Sequence, residues 1–154
     1  MKKIILLLLI ASVGVAACKK EKKSNPRADK PIAEAILGVW LTTSETHDYY
    51  DAAGVKVFTR TVAPGWNYTI NEQFRVTDPQ GQRLFQLPYT LSAANGKNYL
   101  NVTFQGQAES YEITSLEQET MSWRQEKANV TYENNGPQTA AKVVTTINFH
   151  CPCK

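Results

Sequence analysis

The chain has little of what most catalytic readings require. It contains two histidines and three cysteines in 154 residues. No serine sits in a Gly-any-Ser-any-Gly setting, which removes the nucleophile elbow of α/β-hydrolases. No glycine loop has the spacing that cradles phosphate. No repeat period stands out, and beyond a possible single turn at 31–36 no stretch has helical periodicity. Excess positive charge is also missing where it would count. The formal charge is +3, but residues 1–30 hold eight of the seventeen Lys and Arg and two of the fourteen Asp and Glu. Residues 31–154 keep nine basic and twelve acidic groups, a net of −3. A mildly acidic domain offers no electrostatic footprint for nucleic acid. The one long apolar run, Ile4 to Ala11, falls short of the roughly 20 residues a spanning helix needs. These absences lead to the expectation of no enzyme and no cofactor.

What is present begins with that apolar run. Lys2 and Lys3 precede it, and Gly14, Ala16 and Ala17 follow it just before Cys18. A charged start, an apolar middle and small residues at a cleavage point make a secretion signal. Val15-Ala16-Ala17-Cys18 resembles a lipobox, the signal for lipid attachment to a cysteine before cleavage. Residues 1–17 are therefore expected to be a signal peptide and Cys18 the lipid-modified N-terminus. Residues 18–35 open with Lys19-Lys20-Glu21-Lys22-Lys23 and carry no apolar periodicity, so they read as a flexible charged tether. The expected location is the cell envelope. Lys19 after Cys18 favours the outer membrane, because the Asp that retains some lipoproteins at the inner membrane is lacking there.

About 124 residues remain, enough for one domain with a real core. Trp40, Trp66, Trp123, all seven tyrosines and all five phenylalanines lie beyond residue 37. Strand-like runs recur at the spacing of an antiparallel sandwich or barrel. They cover 37–45, 55–62, 66–70, 74–77, 83–92, 99–104, 109–115, 119–127 and 141–150. Pro64-Gly65, Asp78-Pro79-Gln80-Gly81 and Asn95-Gly96 mark turns. Pro88 inside the fifth run points to an edge or a bulge. A polar loop is expected over 128–139. Alternation puts Trp66, Tyr68, Phe85, Tyr89, Phe104, Tyr111, Trp123 and Phe149 on inward faces. The arrangement that suits consecutive hairpins is all-β, an antiparallel up-and-down barrel of eight or nine strands. A sandwich with crossed connections satisfies the same alternation.

At Leu37-Gly38-Val39-Trp40 the chain resembles the lipocalin family, which opens its first barrel strand with Gly-any-Trp after a short helical turn. More closely, it resembles the lipocalin-like lipoproteins of Bacteroidetes-type bacteria, which join a lipobox, a charged tether and one such barrel, here spanning about 36–150. The resemblance implies that Gly38 permits close backbone approach and that Trp40 plugs one end of the barrel. It also implies an arginine covering that tryptophan. Arg124 is the nearest candidate, although alternation with Met121 and Trp123 points it outward. It further implies a monomer binding a small hydrophobic or amphipathic molecule inside the barrel. Trp66, Tyr68, Phe85, Tyr89, Phe104, Tyr111 and Trp123 are then the ligand-binding candidates. The same rings are equally able to fill the interior.

Two other readings stay open. A filled barrel would leave the 128–139 loop as a protein-interaction surface. The tail His150-Cys151-Pro152-Cys153 holds two thiols and an imidazole, a soft donor set suited to copper or zinc. In an oxidising compartment a disulfide between Cys151 and Cys153 is the commoner outcome, and a strained bridge would be redox-active. His47, between Glu45 and Asp48, reads as a histidine in a surface loop at the first hairpin, with a general base as the sharper alternative.

Overall fold

The computed structural model describes Arg27 and residues 29–152. The expected signal peptide, Cys18, the first part of the tether and Cys153 lie outside the described residues. One helical turn, α1 (Ile32–Ala35), precedes ten strands: β1 (Gly38–Tyr50), β2 (Lys56–Val62), β3 (Asn67–Ile70), β4 (Phe74–Thr77), β5 (Arg83–Leu87), β6 (Tyr89–Ala94), β7 (Lys97–Phe104), β8 (Gln107–Leu116), β9 (Thr120–Glu133) and β10 (Pro137–His150).

The strands form one antiparallel sheet in the order β5-β4-β3-β1-β10-β9-β8-β7-β6, with β2 also paired to β1. The first strand thus meets the last. The two ends of the path, β5 and β6, are joined through Pro88 alone. The sheet curls into a nearly closed barrel, the expected all-β architecture, and closure removes the edges that would otherwise invite aggregation. Ten strands fill fewer wall positions, because two pairs are halves of one interrupted strand. β3 pairs with Gly38–Leu41 and β2 with Glu45–Tyr50 on the edge of β1 that faces away from β10. Between them Pro64 and Gly65 break the ladder, with Gly65 at φ +66°. Pro88 divides the other pair. It has no N–H to give, so the expected single strand over 83–92 turns there, one half pairing with β4 and the other with β7.

Asn95 and Gly96 adopt left-handed φ values of 52° and 74°. Ala94 pairs directly with Lys97, which makes the two-residue hairpin expected from Asn-Gly. Gln105 and Gly106 repeat this geometry between β7 and β8.

The expected polar loop over 128–139 is instead a hairpin. β9 and β10 stay paired out to Glu133 and Pro137. The reason is tertiary: Val130, Tyr132 and Ala140 pack with Tyr49, Phe58 and Val143 in a small cluster. Tyr49 and Tyr132 stack with centroids 4.3 Å apart. Burial against the first hairpin outweighs the polar local composition.

The main core gathers at the end of the barrel beside α1. Ile36, Trp40, Ile70, Phe74, Met121, Trp123, Phe149 and Cys151 are almost fully buried there. Each such side chain contributes about 2 kcal/mol on leaving water. Trp40 Nε1 donates to the carbonyl of Ile36 at 2.8 Å, which satisfies the one polar atom of the plug. Gly38 sits at φ +143°, a region that favours glycine.

Arg27 covers this plug. Its guanidinium lies 4.6 Å from the centroid of Trp40 and donates to the carbonyl of Ala35 at 2.8 Å and to Cys151 Sγ at 3.6 Å. The stacked cation closes the barrel end, an arrangement generally worth about 1 kcal/mol. Arg124 takes no part. It pairs with Glu112 and Glu126 on the outer surface. Arg27, which the sequence places in the tether, therefore belongs structurally to the barrel.

Candidate functional site

The barrel is filled at the α1 end and open at the other. The open half encloses a cavity of about 460 Å³, within the range of small-molecule sites. Its position follows from the strand pattern. β10 sends Val143, Thr145 and Ile147 inward, β8 sends Glu109 and Tyr111, and β9 sends Gln125 and Lys127.

β1 contributes Glu45, His47 and Tyr49, and this depends on a single irregularity. Trp40 and Thr42 point inward at even positions. The register against β10 then slips between Thr42 and Ser44, so Thr43 is an extra residue. A bulge of one residue transfers the following side chains to the other face, and from there the odd positions line the interior. His47 is therefore not a surface-loop histidine. It lies within β1, and its side chain is 24 % exposed.

Of the seven residues expected to bind ligand, Trp66, Tyr68, Phe85, Phe104 and Tyr111 line this cavity. Trp123 is fully buried beneath it, against Tyr68, Tyr111 and Phe149 at centroid separations of 5.6, 5.5 and 4.6 Å. Tyr89 sits apart and donates its hydroxyl to the carbonyl of Asn71 at 2.8 Å. Phe149 belongs to the solid core. The aromatic set thus divides: some rings fill the closed end and the rest line the space above it.

Sequence reasoning did not place the polar residues in the cavity, although it considered His47 with a neighbouring carboxylate as an alternative to a surface histidine. Glu45 Oε1 lies 3.1 Å from His47 Nε2, and His47 Nδ1 is 3.0 Å from Thr145 Oγ1. With a neutral imidazole, Nε2–H donates to Glu45 and Nδ1 accepts from the threonine hydroxyl. Across the cavity, Glu109 accepts from Lys127 Nζ at 2.8 Å and from the amide of Gln125. Burial pushes the Tyr111 hydroxyl up to about 12, helped by the charges of Glu109 and Glu45 and partly offset by a hydrogen bond with Gln125. Burial, with a smaller contribution from Glu45, also lifts Tyr68 well above the ordinary phenol range. Both hydroxyls therefore stay protonated at physiological pH and remain able to donate.

The C-terminal donor set does not assemble among the described residues. His150 is exposed, Cys151 is buried in the core beside Arg27, and Cys153 lies outside the described residues. No group of three metal-ligating side chains occurs among the described residues. Comparison with protein-family models, curated proteins and solved structures finds no match.

Proposed function

We propose that the chain is a lipid-anchored envelope protein whose barrel carries a small amphipathic molecule. One observation carries the reading: a cavity of about 460 Å³ lined by aromatic and aliphatic side chains, with Glu45, His47, Thr145 and Gln125 set among them. An apolar body leaves water against Tyr68, Phe74, Phe85 and Leu87. A polar end meets Glu45, His47, Thr145 and Gln125. That division matches how small-molecule sites generally work, with apolar walls for affinity and a few placed polar groups for orientation. The antiparallel barrel serves as a rigid scaffold, and Trp40 under Arg27 shuts the far end.

The test is a fluorescence titration of the full chain with N-phenyl-naphthylamine, a neutral amphipathic probe. Saturable binding at one site, displaced by decanol, is the expected result. A signal that never saturates, or that decanol leaves untouched, refutes the carrier reading.

The anchor is supported by Val15-Ala16-Ala17-Cys18 after a charged start and an apolar run. Several acyl chains at about 0.8 kcal/mol per buried methylene hold a protein to a bilayer without a spanning helix. Cells fed a clickable palmitate analogue are expected to label the wild-type chain and not Cys18→Ser. The variant is also expected to leave the membrane fraction. Labelling that persists in Cys18→Ser would rule out this attachment point.

A further inference from the structure

We infer that the cavity selects amphipaths whose polar end is a protonated amine, held by Glu45. The inference rests on the carrier reading and names the chemistry of the molecule carried.

It starts from the two carboxylates in the wall. Glu109 is satisfied by protein donors on both oxygens, Lys127 on Oε1 and Gln125 on Oε2. Its charge is matched by the ammonium of Lys127. Glu45 differs. Among the described residues its carboxylate has one hydrogen-bonding partner, His47, on Oε1, although its side chain is only 16 % exposed. Oε2 accepts from no described side chain. A carboxylate in a cavity wall with spare acceptor capacity can take a donor from a bound molecule. A cationic N–H donor is the strongest complement, because charge-assisted hydrogen bonds are roughly twice as strong as neutral ones.

The surroundings discriminate further. The cavity wall holds two carboxylates, Glu45 and Glu109, against Lys127 and the imidazole of His47, so it carries no net positive charge in either form of that imidazole. A carboxylate head would be repelled by Glu45 and would compete with Glu109 for Lys127. Trp66, Tyr68, Tyr111 and Phe85 line the same space, and aromatic faces attract ammonium ions. An alkyl or aryl body lies on those rings as the nitrogen reaches Glu45. His47 is held on both sides by Glu45 and Thr145, which keeps the carboxylate oriented before the ligand arrives.

The experiment measures displacement of N-phenyl-naphthylamine from the full chain by decylamine, decanol and decanoate. The three share a tail and differ only in the head. Decylamine is expected to bind about tenfold tighter than decanol, with decanoate weakest. Glu45→Gln is expected to remove that tenfold advantage and leave decanol unchanged. Glu109→Gln lowers decylamine affinity by much less, and Glu45→Asp, which keeps the charge, retains the preference. Equal affinities in the wild type, decanoate binding first, or a parallel loss of decanol and decylamine in Glu45→Gln each overturn the assignment while leaving the carrier reading standing. Failure of the probe itself to bind removes the carrier reading, and the inference with it.

Discussion

Replacing Trp123 with alanine lowers folding stability by about 4 kcal/mol, the loss typical of a fully buried indole. Trp123 has no exposed surface. It meets Tyr68 and Phe149 edge-on at 5.6 and 4.6 Å, touches Tyr111 and Phe74, and donates Nε1–H to Met121 Sδ at 3.0 Å. The indole forms the partition between the solid core and the cavity, so its removal opens the floor of the cavity into the core. Nothing nearby is free to collapse into the space, because the neighbouring rings hang from different strands fixed by the ladder. A domain of this size generally has about 5–15 kcal/mol in hand, so the variant is expected to sit near the edge of stability. Urea denaturation followed by circular dichroism checks it, with the midpoint expected to fall by roughly 2 M. A loss below about 1 kcal/mol would mean that the partition is slack and the core description wrong.

The second large effect concerns binding. In the double variant Leu87→Trp, Val102→Trp, two indoles enter the cavity from β5 and β7, where both residues line the wall. They occupy space that an alkyl chain would need, and they leave Glu45, His47, Glu109 and Lys127 unaltered. Affinity for N-phenyl-naphthylamine is expected to drop more than about 100-fold. Stability is expected to hold or to rise by about 1 kcal/mol, as cavity-filling changes commonly do. The opposite directions of the two effects separate a blocked site from a damaged fold. Undiminished probe binding in the double variant would place the probe elsewhere on the molecule.

The fold was largely legible because period-two alternation is a strong signal where one face is buried. The inward faces of β3, β7, β8 and β10 follow directly from Tyr68 and Ile70, Leu100 and Val102, Tyr111 and Ile113, and Val143 through Phe149. Asn95-Gly96 announced its hairpin because two left-handed residues in a row suit few other pairs. The illegible parts share one physical cause, long-range contact overriding local pattern. Extending the alternation from Trp40 sends Glu45 and His47 outward, and nothing local marks Thr43 as a bulge. The ladder with β10 creates it. The hairpin beyond Ala128 exists because Tyr132 found Tyr49, a pairing separated by more than eighty positions in the chain. Arg27 looked like part of a solvated tether because its charge faces an aromatic ring that only the folded barrel presents.

The site divides the same way. Its aromatic members were readable as inward rings, though their sorting into floor and core depends on how far along the barrel axis each one lies. Its polar members, Glu45, His47, Gln125, Glu109 and Lys127, resemble ordinary surface residues in the sequence. Charged side chains are seldom placed inside a barrel without a partner, and here the partners come from other strands.

The central claim is that the open half of the barrel holds an apolar tail against aromatic rings and a donor head at Glu45. A crystal structure of the full chain grown with decylamine tests it most directly. The account predicts density for the alkyl chain between Tyr68 and Phe85, with the nitrogen at hydrogen-bonding distance from Glu45 Oε2. Side chains collapsed across the interior, or an amine bound only on the outer surface, would contradict it.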